Sequence, residues 1–182
     1  ELTRLEAFIP VGSKNITLSN TEDKDWMNNW KQFFHPIRLY DDIVIKPTWE
    51  TVEDAKPDDI VIEIDPGIAF GTGSHETTKL CIGQLKKYLK PGDTVFDVGC
   101  GSGILGIASL LLGGKSAVGV DIDPMAVKTA KENAVLNNVE DKFTAIEGNF
   151  TEKVSGKFDI VVANIVADAI IFLSQGVKAF MK

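Results

Sequence analysis

Residues 97–103 read Asp-Val-Gly-Cys-Gly-Ser-Gly, directly after the apolar run Thr94-Val95-Phe96. A second apolar run, Ala117-Val118-Gly119-Val120, ends in Asp121. A strand, a tight glycine turn, a helix, a second strand and a carboxylate at its tip form a nucleoside-binding half-site. Few folds accept this order. A parallel βαβ unit needs helices over both faces of its sheet and a right-handed crossover.

The rest of the chain follows the same alternation. Residues 77–89 read as a helix with Leu80, Cys81, Leu85 and Leu89 inward. Pro91-Gly92-Asp93 makes a turn into strand 94–97, and Gly113-Gly114 stops the helix over 104–112. Strand 117–121 leads to Asp123 as a helix N-cap, with Pro124 at the first helical position, and to a helix over 125–137. Residues 143–147 are a third strand. Residues 159–163 are a fourth, nearly all apolar as for a strand covered on both faces, and 167–181 a final helix. The expected fold is α/β, a doubly wound Rossmann-like parallel sheet. The alternation halts after strand four and its helix, which leaves a long apolar edge. Residues 1–182 are therefore expected to be a fragment, or the ordered part, of a longer protein.

Upstream, residues 1–22 read as the tail of a separate unit, with Leu2, Leu5 and Phe8 at helical spacing and a short strand at Ile16-Thr17-Leu18. Residues 23–64 read as a helix and an extended lead-in. Trp26, Trp30 and Phe33 make a packing stripe on the helix, Pro36 ends it, and Ile43-Val44-Ile45 and Ile60-Val61-Ile62 are short strands. Residues 65–182 are the main domain.

The chemistry is concentrated at the sheet's carboxyl end. Gly99, Gly101 and Gly103 let backbone approach a ligand where a Cβ would collide, and the next helix N-terminus faces an anionic group. Gly101-Ser102-Gly103-Ile104-Leu105-Gly106 literally satisfies the dinucleotide pattern G-x-G-x-x-G. Asp97 argues against that ligand, because a carboxylate at the strand end repels a pyrophosphate and pairs with the ammonium of a methionine moiety. Asp121 can accept from both ribose hydroxyls. Asp123 reads as a cap rather than a ligand. Asn164, at the end of strand four, is either a turn or cap residue or a side-chain amide whose oxygen accepts from an incoming amine. Thr77 or Thr78 either caps its helix or turns a hydroxyl toward the cofactor. His75 is a candidate proton acceptor or an orienting residue. His75-Glu76-Thr77-Thr78-Lys79 begins like H-E-x-x-H, but Lys79 replaces the second histidine, so no metal is expected.

Composition narrows the partners. The net charge of −7 disfavours nucleic acid as the main direct partner, and it reads either as a solvated acidic surface or as a field that attracts a basic protein substrate. No apolar stretch approaches the roughly 20 residues of a membrane span, and the N-terminus lacks a signal-peptide pattern. Cys81 and Cys100 form no C-x-x-C, which fits a reducing cytoplasm. Asn15-Ile16-Thr17 matches a glycosylation acceptor by chance.

Residues 65–78, Asp-Pro-Gly-Ile-Ala-Phe-Gly-Thr-Gly-Ser-His-Glu-Thr-Thr, together with 97–103, 119–124 and 162–167, closely resemble the ribosomal protein L11 methyltransferase family (PrmA). The loop is the specific part, since the glycine motif is shared by a whole superfamily of S-adenosylmethionine-dependent methyltransferases. The resemblance runs from about Trp26 to the last residue, and that family's sheet has three further strands. It implies S-adenosylmethionine as cofactor, with contacts at Thr78, Gly99, Asp121 and Asn164, and it places Phe70, Thr72 and His75 around the methyl-transfer region. It also implies methylation of amino groups on a ribosomal protein: lysine side chains and, in some members, the N-terminal amine. The other readings are a methyltransferase for a small-molecule amine or RNA, a non-catalytic cofactor-binding module, and a dinucleotide oxidoreductase.

Overall fold

The computed structural model describes residues 34–65, 75–149 and 153–182. The expectations for residues 1–33, and for Phe70 and Thr72, lie outside the described residues.

The lead-in folds as a small sheet of its own. Strand β1 (Ile37–Leu39) runs antiparallel to β2 (Ile43–Pro47), and β3 (Ile60–Ile64) lies parallel on β2's other side. Ile43, Val44 and Ile45 are all buried, as a central strand with both faces covered requires. The guanidinium of Arg38 donates to both carboxylate oxygens of Asp59 at 2.7 and 2.9 Å and to Asp54 Oδ2 at 3.1 Å. This fork-on-carboxylate contact ties the long β2–β3 connection back to β1.

The main sheet holds four parallel strands, β4 (Thr94–Val98), β5 (Ser116–Asp121), β6 (Phe143–Glu147) and β7 (Ile160–Ala163), in the order β6-β5-β4-β7. The chain steps outward from β4 to β6, then crosses back to place β7 on β4's other side. The strand order thus reverses at β4, and a crevice opens at the carboxyl ends of β4 and β7. Among the described residues four helices accompany the strands: α1 (Glu76–Tyr88), α2 (Ile104–Leu111), α3 (Pro124–Leu136) and α4 (Ala167–Ser174). Helix α2 is buried over Ile104–Leu110, so its sequence is apolar on every side. Phe96 of β4 stacks on Phe158 with ring centroids 5.1 Å apart, in a core that includes Val98, Val120 and Leu173. Asp123 caps α3 as expected, accepting from the Met125 amide at 2.8 Å, with Pro124 next to it.

Three expectations need correction. The helix over 167–181 ends at Ser174, and a short 3-10 turn, Val177–Phe180, follows Gly176. Phe158 N donates to Phe180 O at 2.8 Å and Lys182 N to Phe158 O at 3.0 Å, making a parallel bridge between Phe158 and Met181. A continuous helix would withhold those backbone groups from the sheet. Leu80 is 60% exposed, not inward. The buried line of α1 is Thr78, Ile82 and Leu85, which the 3.6-residue repeat places on the opposite side from Leu80. Strand β7 is only half-buried along its length, because β4 flanks it on one side and, among the described residues, only the Phe158–Met181 bridge on the other.

Candidate functional site

The residues immediately past the strands converge. A cleft of ≈ 570 Å³ opens over the ends of β4, β5, β6 and β7, walled by Gly99, Gly101, Asp121, Ile122, Gly148 and Asn164, with Ile165, Val166 and Ala169 beside them and His75 and Thr77 opposite in sequence. Most of this wall is apolar, with a few polar groups among it, as small-molecule sites usually are.

The glycine turn forms one side. Gly99 and Cys100 both donate to Val120 O, at 2.8 and 3.0 Å, which folds the chain back sharply after β4. Gly99 has φ +73, and a Cβ there would strike Ile165 Cγ2, so only glycine fits both the turn and its neighbour. Gly103 (φ +82) is the N-cap of α2. It lies behind the cleft wall rather than on it.

Asp121 stands at the tip of β5, on the wall. Its Oδ2 accepts from Gly101 N at 2.8 Å and its Oδ1 from Asp123 N at 3.0 Å. The carboxylate thereby braces the glycine turn while its remaining lone pairs face the cleft.

Asp97 is placed differently from the expectation of a direct ammonium partner. It is 1% exposed, beneath the start of α2, and does not line the cleft. Its Oδ2 accepts from Gly106 N at 3.0 Å, and its Oδ1 is buried without a hydrogen-bond partner. Burial, with the Asp121 charge adding to it against the Gly106 bond, pushes its carboxyl up to about 7. Burial also raises the Cys100 thiol, helped by Asp97 and Asp121, which makes Cys100 inert packing.

Asn164 and Thr78 meet across 86 residues of sequence, with Asn164 Nδ2 donating to the buried Thr78 Oγ1 at 3.1 Å. Committing the amide nitrogen to Thr78 turns Oδ1 into the acceptor that is left for an incoming N–H. The cap of α1 is His75, not Thr77 or Thr78. Its Nδ1 accepts from Thr77 N at 3.3 Å and lies 2.7 Å from Thr77 Oγ1. A ring nitrogen so engaged orients the imidazole and holds the helix start.

Ile122, Gly148, Ile165, Val166 and Ala169 in the wall, and Asn133 behind the glycine turn, carry no motif that marks them in the sequence. The wall residues follow the strand ends or begin the next helix, so the rule that ligands bind outside the carboxyl ends of parallel strands was the available signal. No group of three or more His, Cys, Asp or Glu side chains able to hold a metal occurs among the described residues. No described helix is long and apolar enough to cross a membrane.

The fit to an S-adenosyl cofactor rests on two features of this wall. Backbone at Gly99 and Gly101 can be approached closely. A carboxylate stands at the β5 tip.

A reversing parallel sheet with this turn and this acid defines a Rossmann-like methyltransferase domain. A crystal structure of ribosomal protein L11 methylase from Lactobacillus delbrueckii subsp. bulgaricus shares it at a TM-score of 0.76 and 36% identity, over 82% of this chain and 76% of that one. Residues 2–182 match the family described as ribosomal protein L11 methyltransferase (PrmA), and the chain belongs to that family. The ribosomal protein L11 methyltransferase of Lachnoclostridium phytofermentans is 52% identical over 202 residues, covering 100% of this chain and 61% of the relative. That of Clostridium botulinum (strain Eklund 17B / Type B) is 49% identical over 173 residues, covering 95% of this chain and 55% of the relative. The chain thus spans little more than half the length of these relatives.

Proposed function

We propose that this chain carries the S-adenosylmethionine site of a protein N-methyltransferase that modifies amino groups, lysine side chains and the N-terminal amine, of a large-subunit ribosomal protein. The observation that carries the reading is the meeting of Asp121, the glycine turn and Asn164, itself held by the buried Thr78 behind it, around one cleft. The names of the relatives support the acceptor, ribosomal protein L11. The net charge of −7 suits a basic protein substrate rather than nucleic acid, and the reading places the enzyme in the cytoplasm beside its substrate.

S-adenosylmethionine, when bound, supplies a methyl group already activated on a sulfonium. The chain's share is then to bind, orient and dry the site. Asp121 would hold the sugar hydroxyls, and Gly99 and Gly101 would admit the remaining chain of the cofactor against backbone. An amine of ordinary pKa, ~10.4 for lysine, arrives protonated. The apolar side chains of Ile165 and Val166 disfavour the charged form as it enters, and the Nζ proton leaves to water. Asn164 Oδ1 accepts an N–H of the neutral amine and aims its lone pair, which is a proximity effect. His75 holds the start of α1 and thereby the neighbouring Thr77 and Thr78.

The test is transfer of labelled methyl from S-adenosylmethionine by the full-length protein, offered ribosomal protein L11, ribosomal RNA and free lysine in parallel. Label on the protein alone is expected. Label only on RNA or the free amine moves the function to that acceptor, and no label on any, with cofactor binding intact, makes the chain a binding module. Asn164→Ala is expected to lower kcat at least ten-fold while changing cofactor affinity less than three-fold. Full kcat in that variant removes the orienting role.

A further inference from the structure

Among the described residues no strand lies on the outer edge of β3, and the backbone of Glu63 and Asp65 is bonded there to side chains. In a parallel ladder, alternate residues turn their N–H and C=O toward opposite neighbours. Ile60, Ile62 and Ile64 face β2, so Glu63 and Asp65 face the other way, toward α3. Two asparagines of the α3 segment meet them there. Asn137 Oδ1 accepts from Glu63 N at 2.9 Å, and Asn137 Nδ2 donates to Glu63 O at 2.7 Å. Asn133 Oδ1 accepts from Asp65 N at 2.9 Å. The spacing is matched: two strand residues advance about 6.6 Å and four helical residues about 6 Å, so an i, i+4 pair can read alternate residues of a strand. The side-chain amides stand in for a missing strand.

The two asparagines differ in one respect. Asn137 returns its second donor contact to its own helix, at Asn133 O, 2.7 Å away. Asn133, wholly buried, instead sends Nδ2 to Ser102 O at 2.9 Å. Ser102 is the residue between Gly101 and Gly103, and it is buried as well. One amide therefore spans the end of β3 and the glycine turn, with the Ser102 contact buried and the Asp65 contact part-buried.

We infer that Asn133 is a positioning residue for the cofactor cleft, fixing the glycine turn through Ser102 O and registering it against the end of β3 through Asp65 N. This rests on the cleft being the S-adenosyl site. Asn137 performs the docking half of the task without the positioning half, and so serves as an internal control. A buried side-chain amide with both ends bonded holds its neighbours to one arrangement, since losing either contact leaves a desolvated group unpaired.

The experiment uses S-adenosylhomocysteine binding by calorimetry and thermal melting on the full-length protein. The wild type must bind first; if it does not, the reading of the cleft has failed and not the role of Asn133. Asn133→Asp keeps the acceptor for Asp65 N and replaces the donor to Ser102 O by an oxygen, while Asn133→Ala removes both. Each is expected to weaken S-adenosylhomocysteine binding at least ten-fold. Asn137→Ala is expected to lower the melting temperature comparably and leave binding within two-fold. Unchanged binding by a folded Asn133 variant overturns the inference, as does an Asn137→Ala loss as large as that at Asn133. Side-chain amide exchange in the wild type decides the matter independently, should the Asn133 variants not fold. S-adenosylhomocysteine is expected to slow exchange at Asn133 and not at Asn137, and an equal effect on both overturns the proposal.

Discussion

Asp97 makes folding stability depend on pH in an unusual direction. Most carboxylates with partners are held acidic by folding; this one is pushed up to about 7, from 3.8, chiefly by its own burial. Between those two pH values the folded state binds more protons than the unfolded state, so stability falls as pH rises through the window and levels off above it. At about 1.36 kcal/mol per decade of proton affinity, the loss across the window is roughly 4 kcal/mol. Asp97→Asn removes the titration. The amide oxygen can still accept from Gly106 N, while its NH2 sits where Oδ1 now lacks a partner, at a pH-independent cost of about 1–3 kcal/mol. Urea unfolding at pH 4.5, 6 and 8 is the assay. The wild type is expected to lose stability relative to Asp97→Asn on going up that series, so that the variant is closest to or above the wild type at pH 8. Every other titrating group is common to both chains and cancels in the difference. Parallel curves from pH 4.5 to 8, within about 1 kcal/mol, would refute the claim that Asp97 is protonated by burial.

Asp121→Ala removes the acceptor for Gly101 N and Asp123 N together with the proposed sugar contact, and calorimetry is expected to show S-adenosylhomocysteine binding weakened by about 1.5–3 kcal/mol. Gly83→Ala reverses a familiar sign. Alanine ordinarily strengthens a helix by roughly 1 kcal/mol over glycine, but a Cβ at this position would strike the Tyr40 hydroxyl, which donates to Lys79 O at 3.0 Å. Melting temperature should fall for Gly83→Ala and recover when Tyr40→Ala is added; a rise in the single variant contradicts the docking of Tyr40 on α1. Asp59 is held down at about 2, first by the Arg38 hydrogen bonds and then by the Lys56 amide. Its stabilisation is present above the unfolded value near 4 and lost as pH falls toward 2. Acid melts of Asp59→Asn should lack that part of the slope, and an unchanged slope places it elsewhere.

The half-site was legible because its signals are local. The glycine turn, the acid closing an apolar run and the Asp123-Pro124 cap each require only a few adjacent residues, and β4, β5 and β6 fall where alternation places them. Helix facing was read less well. Hydrophobic spacing places Leu80 inward, whereas the line that packs contains the polar Thr78, whose partner Asn164 comes from a distant strand end. The break of the last helix had a local hint in Gly176, but its cause is the bridge from Met181 to Phe158.

By itself the sequence determined the doubly wound parallel sheet, the nucleoside half-site and the family, because periodicity, turn chemistry and motif spacing act within a turn or two of chain; the order in which the strands lie came from tertiary pairing. Tertiary structure alone decided that Thr78 orients Asn164, that His75 and not a threonine caps α1, that Asp97 lies behind the cleft, and that Asn133 joins β3 to the glycine turn. Each of these depends on which buried polar group finds which partner. That choice is made by packing across tens of residues, where an unpaired amide or carboxylate costs more than any local preference can offset.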